Sequence, residues 1–348
     1  MVVLNISVVV PVYNGSQTLP KLVAALHPVL DELAYQYELI LINDCSGDNS
    51  REVMQQLASR HSWIRPINFM RNYGQHAALL CGIRAARHEV TITMDDDLQN
   101  PPEEIPLLVS KLQEGYDVVY GVPAYQKHGL LRNLASHITK IVLQSAMGAS
   151  SASKIRSFRI FRTHLRDAFA NFDSPFINID ALFTWGTTRF SWVAIKHQQR
   201  QAGESNYTFS KLVAHALNMI TGFSTLPLRL ATINGFLCIL FGMAILAYVI
   251  GSYFLSGGCV QGFPFLASII VIFAGAQLFS LGIIGEYMAR MYIRSMRQPP
   301  YMVCDQNQES ALSGGDSSSP RGRRGILSGK NLATELAGAA GTEVTGYD

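Results

Sequence analysis

Cysteine is scarce in this sequence. There are five in 348 residues, at positions 45, 81, 238, 259 and 304, with no C-x-x-C pair and no zinc-ligand spacing. Their scatter argues against a zinc site and fits free thiols in a reducing compartment, used as small buried apolar residues. An excess of one charge is missing as well. Lys and Arg total 28 against 25 Asp and Glu, a net charge of +3, so the balance does not suggest a nucleic-acid partner. The phosphate-cradling patterns G-x-x-x-x-G-K-[ST] and G-x-G-x-x-G are both absent, which argues against an NTPase and a dinucleotide enzyme. The N-terminus has no basic region and no small-residue cleavage site, so no signal peptide is expected. No internal repeat is visible.

Two stretches lack ionisable side chains altogether. Leu230 to Leu255 and Phe263 to Gly285 each exceed the roughly 20 apolar residues that span a bilayer core as a helix. A short glycine-rich link joins them. Arg229 precedes the first, and Arg290, Arg294 and Arg297 follow the second. Basic residues accumulate on the cytoplasmic side, so both termini are expected there, at the inner (cytoplasmic) membrane. The expected organisation is a cytoplasmic catalytic domain over residues 1–206 and a juxtamembrane amphipathic helix over 207–228. Spans at 229–255 and 263–289 follow, joined by an extracytoplasmic loop at 256–262. A cytoplasmic tail covers 290–348 and is expected to be disordered after about residue 304, where Ser, Gly and small residues take over.

The first ~120 residues alternate strand and helix signals, which implies an α/β domain with a mostly parallel sheet covered on both faces. Strands are expected at Ile6–Tyr13, Tyr37–Asp44, Ile64–Met70, Glu89–Asp95, Tyr116–Val122 and Phe190–His197. Helices are expected between them, at Gly129–Met147 and at Tyr207–Phe223. In such sheets ligands bind beyond the C-terminal strand ends. The polar clusters Tyr13-Asn14, Asn43-Asp44, Arg71-Asn72 and Asp95 to Gln99 fall there. The last of these opens "MDDDLQNPPEE", three adjacent carboxylates followed by helix-start signals, with Asn100 as expected cap and Glu103 completing a capping box. Asp95 and Asp97 share one side of an extended backbone and Asp96 faces the other. Hard cations such as Mg²⁺ take one or two carboxylates plus phosphate oxygens and water. A bound cation and a solvated acidic loop are both compatible with the spacing alone, and placement beside three other polar strand ends favours the cation.

These residues resemble a known family. "VVVPVYN", "INDCSGDNS", "RNYGQHAALLCGI" and "MDDDLQNPPEEI" look like the successive motifs of inverting family 2 glycosyltransferases with the GT-A fold. "RNLASHITK", "SFRIFR", "QRQAGESNYTFSKL", "TLPLRL" and "GAQLFSLGIIGEYMARMY" narrow the likeness to polyprenyl-phosphate glycosyltransferases, the undecaprenyl-phosphate sugar transferases related to dolichyl-phosphate mannose synthases. The resemblance runs from Ile6 to Val303. It implies transfer of one sugar from a nucleotide sugar, UDP-linked rather than GDP-linked, to a polyprenyl phosphate.

By the same resemblance, Pro11, Tyr13, Asn14, Asp44, Arg71, Asn72, Asp95 and Asp96 surround the nucleotide. Asp95 and Asp97 are the catalytic pair, holding Mg²⁺ or Mn²⁺ with Gln99, and Arg132, Ser136, Arg159 and Arg200 receive the lipid phosphate. The chain departs from the family at Gly15, where an acid is usual, at Pro123 and Asn206, and at Lys154 and Arg156 in "SKIRSF". Two other readings stay open: a processive family 2 polysaccharide synthase, against which stand the missing Q-x-x-R-W tryptophan and the pair of spans, and a non-catalytic membrane scaffold. Two spans are few for a self-contained lipid site, so a homo-oligomer is also an expectation. Glu286 and Arg290, four apart on one helix face, are expected to pair.

Overall fold

The computed structural model describes residues 4–123, 155–196, 226–255 and 262–304. It divides into two compact units, one made of residues 1–207 with 297–348, the other of residues 208–296.

In the first unit the chain runs β1 (Leu4–Val12), α1 (Leu19–Leu33), β2 (Ala34–Asn43), α2 (Ser50–Arg60), β3 (Ile64–Asn68), α3 (Gln75–Ala85) and β4 (Val90–Thr93). A 3-10 turn at Pro102–Glu104 leads into α4 (Ile105–Gln113). Then follow β5 (Val118–Pro123), β6 (Arg159–Arg162), a 3-10 stretch at Thr163–Phe169, α5 (Ile179–Gly186) and β7 (Phe190–Ile195). The described strands form one seven-stranded sheet in the order β3-β2-β1-β4-β6-β5-β7. All neighbours are parallel except β6, which runs antiparallel between β4 and β5. The sheet is the expected mostly parallel one. The antiparallel β6, carried by "RIFR", has too few residues and too much charge to announce itself as a strand.

Burial on both faces explains the continuous apolar run of β1, whose Ile6, Val8, Val9, Val10 and Val12 are wholly inaccessible. On one face Val8, Val10 and Val12 pack with Leu22, Leu26 and Leu30 of α1, Met54 of α2 and Leu108 of α4. Each such side chain contributes about 1.5–3 kcal/mol relative to exposure. On the other face α3 lies so close to the sheet that a Cβ at Gly82 would sit 2.3 Å from a methyl of Val9. Phe183 of α5 meets Phe161 of β6 there, ring centres 4.5 Å apart. The helix after the acidic stretch starts differently from expectation. Asn100 makes no cap bond at its start, and the 3-10 turn at Pro102–Glu104 carries the chain into α4. Gly115, with φ of 102°, ends α4 in the left-handed region that glycine adopts without strain.

The second unit contains α6 (Leu226–Leu255) and α7 (Phe263–Ser295). Thirty residues of α6 rise about 45 Å, beyond the ~30 Å hydrocarbon core of a bilayer. Both helices are long and apolar enough to cross a membrane. Their large apolar side chains, among them Phe236 at 61% and Leu278 at 69%, are exposed. Surfaces of this kind suit lipid and not the interior of a water-soluble domain. Helix α7 runs on beyond residue 289 to Ser295, and Arg290 donates to Glu286 at 2.9 Å, the expected pair.

Candidate active site at the strand ends

Parallel β1, β2, β3 and β4 end in four loops at one edge of the sheet, and these loops are knitted together by hydrogen bonds. Asn14, after β1, takes a left-handed backbone with φ of 56°. Its N–H donates to Ser46 Oγ at 3.0 Å, and its Oδ1 accepts Gly47 N–H at 2.9 Å. Ser46 N–H in turn donates to Asn43 Oδ1 at 3.0 Å, and Asn43 Nδ2 donates to Asn68 Oδ1 at 3.0 Å. Cys45 and Leu98 are also left-handed, with φ of 54° and 58°. Backbone of this kind costs on the order of 1–3 kcal/mol per residue and persists where neighbours over-determine it. Cys45 is exposed, unlike the buried Cys81, so the expectation of buried thiols holds for Cys81 alone of these two.

Asp44 is 4% exposed. Its two carboxylate oxygens accept the N–H groups of Tyr73 at 2.7 Å and Gly74 at 2.8 Å, just ahead of α3. Burial raises its carboxyl above the ordinary carboxylate value, and the two N–H donors pull downward without cancelling that. Asp48 is a second organiser. It accepts Ser16 N–H at 3.1 Å, Ser50 N–H at 3.1 Å and Ser50 hydroxyl at 2.5 Å. Burial works upward on Asp48 too, but the bonds from Ser50 and Ser16 outweigh it and hold the carboxyl below its ordinary value.

The acidic stretch follows β4. Asp95 accepts Gln75 Nε2 at 2.7 Å on one oxygen and Ser157 Oγ at 2.5 Å on the other. Asp97 accepts Gln99 N–H at 3.1 Å, a tight local turn. Asp96 leans towards the β1 loop: a Cβ built on Gly15 would stand 2.0 Å from its Oδ2. An acid at position 15 would collide with that carboxylate, so the departure at Gly15 matches the placement of Asp96. Tyr13 is 57% exposed. Arg71 lies over the Tyr73 ring, 4.6 Å from its centre, and Asn72 is exposed beside it.

The structure therefore brings Asn14, Asp44, Arg71, Asn72, Asp95, Asp96, Asp97 and Gln99 to the same sheet edge, with Pro11 and Tyr13 at the end of β1. Arg132, Ser136 and Arg200 lie outside the described residues. Arg159 departs from expectation. It is 2% exposed, in β6, with its guanidinium ion-paired to Asp180 and donating to Thr93 Oγ1 at 2.9 Å. Tyr120 hydroxyl donates to the same Asp180 at 2.9 Å. Burial opposes the guanidinium charge, and Asp180 together with Tyr120 more than restores it. In this structure the Arg159 guanidinium is committed to Asp180 and Thr93, and its field reaches Asp95. Sequence reasoning missed Gln75, Ser157, Asp48 and Ser50. Gln75 stands inside the quoted "RNYGQHAALL" and Ser157 heads "SFRIFR", but nothing in their spacing announces that both meet Asp95.

A mostly parallel sheet with an acidic strand tip, one inserted antiparallel strand and two membrane-length helices define the class: a GT-A-like domain joined to two apolar helices. Residues 7–173 match the pattern of Glycosyl transferase family 2. The chain is 34% identical over 306 residues to undecaprenyl-phosphate 4-deoxy-4-formamido-L-arabinose transferase of Yersinia enterocolitica, with 86% of this chain and 92% of that protein aligned. The chain belongs to glycosyltransferase family 2. Among solved structures, glucosyl-3-phosphoglycerate synthase from Mycobacterium tuberculosis with Mn²⁺, UDP-glucose and phosphoglyceric acid is 18% identical. It aligns with a TM-score of 0.48 over 63% of this chain and 78% of that one. Mannosyl-3-phosphoglycerate synthase from Rubrobacter xylanophilus is 16% identical, with a TM-score of 0.47 over 62% and 72%.

Proposed function

We propose that this glycosyltransferase moves one sugar from a nucleotide sugar, UDP-linked, to a polyprenyl phosphate at the cytoplasmic face of the inner membrane. The observation that carries the reading is the convergence of Asp44, Asp95, Asp96 and Asp97 on one sheet edge of a chain that also holds two membrane-length helices. The chain's likeness, over most of its length, to a protein named for undecaprenyl phosphate supports the acceptor class.

A divalent ion fits this donor set, though the protein alone does not complete its shell. Among the described residues no group of three from His, Cys, Asp and Glu converges to hold a metal. Mg²⁺ characteristically keeps waters and relies on substrate phosphates beside one or two carboxylates, so a pair of aspartates is compatible with such an ion. Asp95 and Asp97, with Gln99, would hold Mg²⁺ or Mn²⁺. When bound, the ion would neutralise charge on the departing diphosphate. Asp44 retains acceptor capacity beyond its two backbone bonds and would receive a hydrogen bond from the base, with Pro11, Tyr13, Asn14, Arg71 and Asn72 around the nucleotide. Gln75 and Ser157 fix the Asp95 carboxylate in place. Arg132, Ser136 and Arg200 would grip the acceptor phosphate.

A phosphate monoester is already anionic near neutral pH, so the acceptor needs no general base. Its oxygen bonds to the anomeric carbon as the bond from that carbon to the diphosphate breaks, and the configuration inverts. The arginines flanking the spans support a cytoplasmic location for the catalytic unit and both termini, because basic residues accumulate on that side.

The test is a screen of radiolabelled nucleotide sugars on membranes containing this protein, with undecaprenyl phosphate supplied. The expected product is a chloroform-soluble glycolipid carrying one sugar. It should be lost on chelation, restored by Mn²⁺ or Mg²⁺, and reduced by about 100-fold or more in Asp97→Ala. A long water-soluble polymer would point to a polysaccharide synthase. Transfer undiminished by chelation would overturn the metal reading.

A further inference from the structure

The chain that follows α7 returns to the catalytic unit. Arg297, left-handed with φ of 48°, and the pair Pro299-Pro300 lead into Tyr301–Cys304, which lies along the free edge of the sheet just beyond β3. Val303 pairs antiparallel with Phe69. Met70 N–H donates to Met302 carbonyl at 3.0 Å, and Cys304 N–H donates to Asn68 carbonyl at 2.7 Å. Tyr301, 3% exposed, stacks on Phe69 with ring centres 5.3 Å apart and planes 10° from parallel. Arg84 of α3 lies 6.0 Å from the centre of the Tyr301 ring.

Two of the residues gripped in this way, Phe69 and Asn68, belong to the candidate site's framework. Phe69 packs edge-on against Tyr73 at 5.6 Å. Tyr73 and Gly74 supply the two N–H groups that hold the Asp44 carboxylate. Asn68 accepts from Asn43, and the bonds continue from Asn43 through Ser46 to Asn14. A four-residue strap therefore touches the start of a hydrogen-bonded path that reaches the loops after β1, β2 and β3. β3 is an edge strand, so without the strap its last residues and the loop that follows present unpaired backbone groups to water. Short edge segments of this sort open locally at small free-energy cost.

We infer that Tyr301–Cys304 is a positioning strap, with Tyr301 as its anchor: it orders the loop from Phe69 to Gly74 and so presets Asp44 for the nucleotide. The inference takes the strand-end site to be the nucleotide site of the proposed function. It makes the segment leaving the second membrane-length helix part of the donor-binding apparatus, reached through Phe69 and Tyr73 with no contact to the ligand itself.

The test uses the full chain in lipid nanodiscs, comparing wild type, Tyr301→Ala, Tyr301→Phe and Cys304→Pro. Cys304→Pro deletes the N–H that donates to Asn68 and leaves the aromatic stack. Hydrogen exchange at Tyr73 and Gly74 should accelerate about tenfold or more in Tyr301→Ala and Cys304→Pro, with amides of α4 unchanged. The dissociation constant for UDP should rise by about tenfold in both. Tyr301→Phe, which keeps the stacked ring, should behave as wild type in both measurements. Unchanged exchange at Tyr73 and Gly74 in folded Tyr301→Ala would overturn the strap, as would accelerated exchange with UDP affinity intact. If wild type binds neither UDP nor GDP, the nucleotide reading falls, and the exchange result alone decides the strap.

Discussion

Asp44 and Asp117 are both nearly buried, at 4% and 5% exposure; Asp44 directly follows β2 and Asp117 directly precedes β5 of the same sheet. Their partners differ in kind. Asp117, beside β5, is bracketed by cations: Arg189 donates at 2.7 and 3.0 Å, Arg162 stands 3.5 Å away, and Thr187 hydroxyl adds a bond at 2.6 Å. Burial works upward on Asp117, but Arg189, Thr187 and Arg162 together hold its carboxyl below the ordinary value. Asp180 has Arg159, and Glu38 has Arg65. Asp44 and Asp48 accept from neutral backbone N–H and hydroxyl groups. Carboxylates paired with arginines serve the fold, because their charge is already neutralised. Carboxylates held by neutral dipoles keep a net negative charge fixed in place, which is what an incoming cation or a base donor requires.

The comparison can be strained in three ways. The largest effect is expected from Arg159→Met. It leaves Asp180 buried without its cation, so the catalytic unit should lose about 3–5 kcal/mol of stability, read as a lowered denaturation midpoint. A midpoint within error of wild type would remove the contrast.

Acid should separate the two kinds of carboxylate next. Asp44 titrates above its unfolded value, so the fold gains on the unfolded chain as pH falls through that raised value, while the anion proposed to receive the base is lost. Asp117 titrates below its unfolded value. The stability it contributes is present above the unfolded value and disappears as pH falls through the depressed one. On acidification UDP binding should therefore fail first and unfolding should follow at lower pH, measured by titration calorimetry and near-ultraviolet circular dichroism on the same sample. Simultaneous loss would show that the site carboxylates hold the fold as well. The smallest effect belongs to Gly15→Ala. Its new methyl displaces the Asp96 carboxylate, which should weaken UDP binding by about tenfold and leave the denaturation midpoint in place.

Much of this was legible in the residues. Apolar runs located the strands of the N-terminal half, most plainly β1, which is buried almost throughout and so is almost continuously apolar. The polar pairs Asn43-Asp44 and Arg71-Asn72 and the run Asp95 to Gln99 stood where parallel strands end, so their convergence followed from topology. β6 was harder to see, since an arginine and a short charged run read as surface until Asp180 and Thr93 supply the partners that bury them. The partners of Asp95 were illegible for a similar reason. Gln75 and Ser157 are separated from it by 20 and 62 residues, and only the register of the sheet decides that all three meet.

Local pattern by itself determined the parallel α/β class, the acidic strand tip and the two membrane-length helices, because periodicity, charge and helix length act over neighbouring residues. Tertiary structure alone decided which carboxylates are neutralised, that Arg159 is enclosed, and that Tyr301 returns to stack on Phe69. Those outcomes depend on desolvation and on pairings between distant segments, and neither exists until the chain has closed on itself.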